Sequence, residues 1–206
     1  MHLEALDDSG KDIFSRLAPF GERFYLAGGT ALALEIGHRV SADFDLFAPR
    51  AVQDTLLQEV ERLFSGYAIR PSVNNSDELT VFVAERKITF LHYPFPPLLP
   101  LVGSASLPLL SVKELAATKA YTIGRRGSYK DYVDIFFILS EKHSSLPEIM
   151  ELAEKKYSDA FNARLFLEQL VYLDDVEDID IVFLKKAVTR EGLRAFFENE
   201  VRAMPL

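Results

Sequence analysis

Apolar and polar positions along the chain change period several times, and each change marks an element. Residues 11–19 carry a short helical pattern. Arg23-Phe24-Tyr25-Leu26-Ala27 is a compact run of strand formers ended by Gly28-Gly29. Residues 30–36, with Ala and Leu alternating inside, predict a helix. Residues 43–47 return to the two-residue period of a strand, which Pro49 stops. Val52, Leu56, Val60 and Leu63 then recur at helical spacing and predict an amphipathic helix over 52–64. Three β-rich runs follow, at 67–70, 79–84 and 87–93. The turn formers at 74–77 and 85–86 join them into an antiparallel meander.

Pro94, Pro96, Pro97 and Pro100 make the next stretch extended and non-helical, the best candidate for a boundary. Everything after it reads as helix. Ser111-Val112-Lys113-Glu114 matches a capping box, and the helix it opens is expected to run to about residue 123, with Gly124 and Gly127 ending it. Further helices are expected over 129–140, after Pro147, over 159–173 and from about Thr189, with Glu191 in the first turn. The fold class is therefore α+β, with sheet and helices in residues 1–100 and a helical region over 101–206.

Composition narrows the function. With 206 residues, 49% of them hydrophobic, the chain can bury one sizeable core or a core with a satellite. It has no cysteine, which excludes disulfides, thiolate metal sites and a cysteine nucleophile. There is no signal-peptide pattern at Met1-His2-Leu3-Glu4 and no run of the roughly 18 apolar residues that spans a bilayer, so a cytoplasmic protein without membrane partners is expected. The net charge of -8 speaks against a general nucleic-acid binder. The charge is uneven, however. Residues 141–180 hold eleven acidic and four basic side chains, whereas 111–134 hold five basic and three acidic ones. The middle of the chain can still meet a polyanion.

Four constellations can carry chemistry. Gly28-Gly29-Thr30 lies between a strand and a helix, where glycines permit close approach and the helix N-terminus favours a phosphate. It is neither a Walker loop nor G-x-G-x-x-G, and an isolated GGT is more often a tight turn with a capping threonine. Asp43 and Asp45, two apart on a strand, point to one face while Phe44 points to the other. Two carboxylates that close repel each other, and a cation such as Mg²⁺ resolves this; the alternative is a solvated edge strand. Lys119 falls in the apolar stripe of Val112, Leu115, Ala116, Ala120 and Ile123, where it either snorkels or meets an anion. Within Arg125-Arg126-Gly127-Ser128-Tyr129-Lys130-Asp131-Tyr132-Val133-Asp134, Asp131 and Asp134 share a helix face. The helix dipole accounts for Asp131 better than for Asp134. His38-Arg39, between the first glycine-led helix and the Asp strand, is either a plain loop or a reach toward nucleotide phosphates.

In combination these pieces resemble the AbiEii/AbiGii family of toxin-type nucleotidyltransferases. The resemblance is carried by Tyr25-Leu26-Ala27-Gly28-Gly29-Thr30-Ala31-Leu32-Ala33-Leu34, by Gly37-His38-Arg39, and by Ser41-Ala42-Asp43-Phe44-Asp45-Leu46-Phe47. Lys113-Glu114-Leu115-Ala116-Ala117-Thr118-Lys119 and Lys130-Asp131-Tyr132-Val133-Asp134 extend it, so that it covers residues 20–140 clearly and the rest loosely. It implies a nucleotidyltransferase-fold mixed sheet with flanking helices in 1–100, and a helical C-terminal half, 101–206, that completes the active-site cleft. It implies transfer of a nucleoside monophosphate from an NTP to an acceptor such as tRNA, with Mg²⁺ (or Mn²⁺) on Asp43 and Asp45 and often a cognate antitoxin. Gly28, Gly29, Thr30, His38, Arg39 and Lys130 would serve nucleotide binding. Lys119 would offset charge on the leaving pyrophosphate, and Asp134 would orient that lysine or act as a base.

The sequence departs from the fold's common pattern at one point. A third carboxylate is usual on the neighbouring strand, but Lys87-Ile88-Thr89-Phe90-Leu91-His92-Tyr93 has none, and Thr89 or Leu91 takes its place. Two other readings therefore stand beside the RNA-directed toxin. One is a transferase for a small-molecule or protein hydroxyl. The other is a catalytically weak nucleotide-binding module that acts through a partner.

Overall fold

The computed structural model describes residues 1–204, apart from the side chain of Arg126. Its contacts divide the chain into two units, Met1–Ser111 and Val112–Leu206.

The first unit is built on a five-stranded sheet in the order β1-β2-β5-β4-β3. The strands are β1 (Tyr25–Ala27), β2 (Phe44–Ala48), β3 (Ile69–Asn74), β4 (Glu78–Val83) and β5 (Arg86–His92). β2 runs parallel to β5 and the other neighbours are antiparallel, so the sheet is mixed, as expected. The expected meander forms, with its second turn one residue earlier than the 85–86 that the turn formers predict. Ala84 and Glu85 both take positive φ, the conformation of a two-residue turn whose twist suits a hairpin.

Alternation in the strands decides the two faces. Leu26, Phe44, Leu46, Leu79, Val81, Val83, Ile88 and Phe90 are fully buried on one face. Helix α1 (Asp8–Arg16) and the single turn after it cover that face: Phe14 stacks on Phe44 at 6.3 Å, and Phe20 meets Phe90 edge-on at 5.1 Å. Glu78, Asp45, Lys87 and Thr89 occupy the other, polar face, each only partly buried. Helix α2 (Gly28–Ile36) is apolar all round and correspondingly buried at Thr30, Ala31, Leu32, Ala33, Leu34 and Ile36. Gly37 ends it in the left-handed conformation, φ 62°, which turns the chain back toward the start of the helix. Helix α3 (Leu56–Leu63) buries Leu56 and Val60.

The expected boundary at residue 100 does not match this division. Residues 101–111 belong with the sheet unit. The Leu26 amide donates to the Pro108 carbonyl (2.8 Å), and the Leu110 amide to the Leu26 carbonyl (2.9 Å), so this segment lines the outer edge of β1. Backbone pairing at a sheet edge is a tertiary event and outweighs the local proline signal.

The second unit contains α4 (Val112–Arg126), α5 (Tyr129–Ser140), α6 (Leu146–Tyr157), α7 (Ala163–Val171) and α8 (Arg190–Arg202). Gly124 does not end α4, because helix-lowering glycine is tolerated where packing holds the turn. The capping box expected at 111–114 does not form either: among the described residues the Ser111 hydroxyl has no hydrogen-bond partner, and Glu114 accepts from Lys156 at 2.6 Å. Capping boxes are present at Ser128/Asp131 on α5 and Ser145/Glu148 on α6. Pro147 sits inside the first turn of α6 rather than before it, where its missing N–H costs nothing. Among the described residues no helix is long and apolar enough to cross a membrane.

Candidate nucleotidyltransferase site

In the sheet unit the functional side chains converge on one turn. β1 ends at Ala27, in register with Asp45 on β2. Gly28 follows with φ 66°, a conformation that favours glycine. A Cβ on Gly28 would collide with the Asp45 carboxylate. A Cβ on Gly29 would collide with the Arg39 guanidinium. Gly28 is thus called for by its own backbone conformation and by an anion beside it, whereas the space at Gly29 is taken by the tip of a cation.

Thr30 connects this turn to the acidic segment. Its hydroxyl donates to the Asp43 carbonyl and lies 2.7 Å from the Ser41 hydroxyl. With Thr30 buried, the hydroxyl is committed to the backbone of the Asp strand. This ties the first turn of α2 to the backbone at Asp43.

Asp43 immediately precedes β2, and Asp45 lies inside it, both partly buried. Among the described residues the Asp43 carboxylate makes no hydrogen bond or ion pair, which leaves it available to a cation. Two oxygen donors, one just before and one inside β2, suit Mg²⁺, which commonly keeps water and substrate phosphate in its other positions. No group of three or more His, Asp or Glu side chains that could hold a metal occurs among the described residues. The third-acid position is settled by the register: Asp45 pairs with Thr89. The Thr89 hydroxyl is 3.2 Å from that of Thr80, which donates to Glu78 at 2.6 Å. Glu78, two strands away, is an acid on the site face that strand-by-strand reading overlooked; the alternation of Glu78 and Thr80 was its only signal.

His38 and Arg39 are enclosed, at 0% and 2% exposure. Arg39 Nη1 donates to the Val40 carbonyl at 3.1 Å. Both side chains are turned into the protein. A cavity of about 450 Å³ lies farther along the β1–β2 edge, lined by Arg23, Tyr25, Arg50, Leu56, Pro97 and Leu101 among others; it includes none of the residues selected from the sequence.

In the helical unit, Lys119 does not snorkel. Its Nζ donates to Asp131 Oδ1 at 2.6 Å and lies 2.7 Å from Asp134 Oδ2. The cause is local. Ser128 caps α5, so Asp131 falls at the third helical position and accepts the Ser128 amide (2.9 Å) on its other oxygen. Asp134, one turn on, presents its carboxylate from the same face. Asp131 is the participant that the dipole explanation concealed. A second buried pair, Lys156–Glu114, is almost wholly shielded, at 1% and 0% side-chain exposure. Lys130 is only partly buried, at the α5 start, and makes no ion pair among the described residues. The Arg126 side chain of the same basic run lies outside the described residues.

Comparison with known proteins agrees with this architecture. MenT4, described as a nucleotidyltransferase toxin of Mycobacterium tuberculosis H37Rv, superposes with a TM-score of 0.61 at 20% identity, over 92% of this chain and 80% of that one. JHP933 of Helicobacter pylori superposes with a TM-score of 0.53 at 13% identity, over 96% and 97% of the two chains. At such identities the likeness is one of fold: a nucleotidyltransferase fold. An uncharacterized protein of Aquifex aeolicus (strain VF5) is 31% identical over 189 residues, 87% of this chain and 86% of its own length. The family profile described as "Nucleotidyl transferase AbiEii toxin, Type IV TA system" matches residues 12–205. The chain belongs to the AbiEii nucleotidyltransferase toxin family.

Proposed function

We propose that this protein transfers a nucleoside monophosphate from an NTP to a hydroxyl of an RNA acceptor, tRNA in the first instance, as a toxin countered by an antitoxin. The acceptor oxygen bonds to the α-phosphorus, the bond from that phosphorus to the α–β bridging oxygen breaks, and pyrophosphate leaves with the electron pair while the hydroxyl proton passes to solvent water. The observation that carries this reading is the Asp43/Asp45 pair, seated beside a glycine turn at a helix N-terminus. A divalent ion bound there, Mg²⁺ or Mn²⁺, would screen the triphosphate and polarise the α-phosphate.

The chain's own residues have separable roles. Gly28 and Gly29 bring backbone close to the Asp45 carboxylate, and the N-terminus of α2 favours the anionic triphosphate. Thr30 holds the backbone at Asp43. Lys119 is assigned to charge that develops on the leaving pyrophosphate. Asp134, fully buried and bonded to that lysine, orients it; a base role is disfavoured by its enclosure. Lys130, partly exposed beside that cluster, is assigned to nucleotide contact.

RNA is favoured over a small acceptor by the excess of basic residues over 111–134, despite the net charge of -8. MenT4, similar in fold, carries the description of a nucleotidyltransferase toxin. The deciding experiment incubates the protein with NTPs labelled at the α-phosphate, Mg²⁺ and total tRNA. Label entering RNA, and lost in Asp43→Ala and Asp45→Ala variants that still fold, is the expected result. Label entering only an added protein or small acceptor would transfer the assignment to that class. NTP binding without transfer would make the chain a binding module.

A further inference from the structure

We infer that Arg39 is a positioning residue of the Asp43/Asp45 site: its buried guanidinium, lodged against Gly29, holds the turn on which the Asp45 carboxylate is seated. This rests on the reading of Asp43 and Asp45 as metal-holding residues and adds a component to it.

Arg39 is enclosed by the protein. Its side chain is 2% exposed, and a buried cation is costly to desolvate. Its charge also lies beside Gly29 in the first turn of α2, the end of a helix that favours anions and disfavours cations. The two glycines show what this enclosed guanidinium is fitted against. Gly28 leaves room for Asp45 Oδ2 and Gly29 leaves room for Arg39 Nη2. Consecutive residues of one turn thus touch an acid of the candidate metal site and an enclosed guanidinium.

The chain path makes this possible. Gly37, at φ 62°, reverses the backbone after α2. The returning segment runs back toward the helix start, where Ser41 and the Asp43 carbonyl meet Thr30. Arg39 lies on that segment and reaches Gly29, while its Nη1 is fixed to the Val40 carbonyl at 3.1 Å. The planar guanidinium can satisfy the carbonyl and fill the space at Gly29 together; a lysine lacks that fork.

Binding of Mn²⁺ to the full-length protein, followed by titration calorimetry, tests this without relying on turnover. Arg39 could act through its charge alone, and its removal would then tighten Mn²⁺ binding, because a nearby cation repels the metal. A positioning role predicts the opposite sign. Arg39→Ala should weaken Mn²⁺ binding about tenfold, with Arg39→Lys recovering part of it. Gly29→Ala keeps the charge but places a methyl group where the guanidinium lies, and should weaken binding similarly. In the Gly29→Ala/Arg39→Ala double variant the methyl group has room, so binding should be no weaker than in Arg39→Ala. Should Arg39→Ala not fold, Gly29→Ala and Arg39→Lys decide the matter. Unchanged or tighter Mn²⁺ binding in Arg39→Ala or Gly29→Ala, or losses that multiply in the double variant, would overturn the inference while leaving the metal site standing. A wild-type protein whose Mn²⁺ binding is unaffected by Asp43→Ala/Asp45→Ala would overturn both.

Discussion

Asp45 lies directly opposite Thr89 in the parallel ladder between β2 and β5. Side chains opposite one another in a ladder share a face and stand about 5 Å apart, so Thr89 occupies the place from which a third acid would serve the site. Thr89→Asp should therefore convert a two-acid site into a three-acid one. The expected result is tighter Mn²⁺ binding at neutral pH, by roughly tenfold or about 1.4 kcal/mol, together with a lower melting temperature in metal-free buffer from carboxylate repulsion. Calorimetric titration and metal-free thermal melts check the two halves. Unaltered Mn²⁺ affinity in a folded variant would show that Thr89 does not face the site.

The Lys119 cluster predicts a ranking. Lys119→Ala leaves two buried carboxylates, Asp131 and Asp134, facing each other without their cation. Loss of one partner of a buried pair costs about 3–5 kcal/mol, so Lys119→Met is the gentler probe. It should reduce transfer at least a hundredfold. Lys113→Ala, which removes only a half-exposed pair with Glu148, should change it less than twofold. Equal losses from the two substitutions would reduce Lys119 to a structural lysine.

Asp131 has two tasks that can be separated. One carboxylate oxygen caps α5 through the Ser128 amide, and the other receives Lys119. Ser128→Ala removes only the hydroxyl contact with Asp131 and should cost about 1 kcal/mol of stability with little effect on turnover. Asp131→Asn keeps an acceptor for the cap but removes charge from Lys119, and should lower turnover well beyond its effect on melting temperature. Parallel losses of turnover in the two variants would argue that helix capping, not the lysine contact, is what Asp131 contributes.

Glu35 predicts a pH dependence. Burial pushes its carboxyl up to about 7, an effect that the N-terminal ammonium partly offsets, and among the described residues its Oε1 has no hydrogen-bond partner. A folded-state value above the unfolded one means that the native state binds the extra proton. The associated stability is fully present below the ordinary glutamate range, declines as pH rises, and is lost above about 7. Glu35→Gln should therefore raise the melting temperature at pH 8 by a few degrees, on the order of 1–2 kcal/mol after solvent screening, and have no effect at pH 4. Identical pH profiles for the wild type and the variant would contradict the burial of a titrating carboxyl.

Much of this protein was legible before any coordinates. Residue period alone distinguished the apolar core face of β2 from the face that carries Asp45, because alternation is a property of the strand itself. The hairpin turn, expected at 85–86 and found one residue earlier, the α5 span and the α8 start at Thr189 likewise followed from local chemistry. The order of motifs, taken as a whole, pointed to the AbiEii family, to which the chain belongs. Other features depended on residues far apart in sequence. Register placed Thr89 beside Asp45, the pairing of residues 108–110 with β1 moved the unit boundary to Ser111, and the return of the chain after Gly37 drove Arg39 into the Gly28–Gly29 turn. It also turned Glu114 from an expected cap into the partner of Lys156. Local propensity and period act over a few residues, whereas the cost of burying charge and backbone is met by whichever distant group the fold brings within reach.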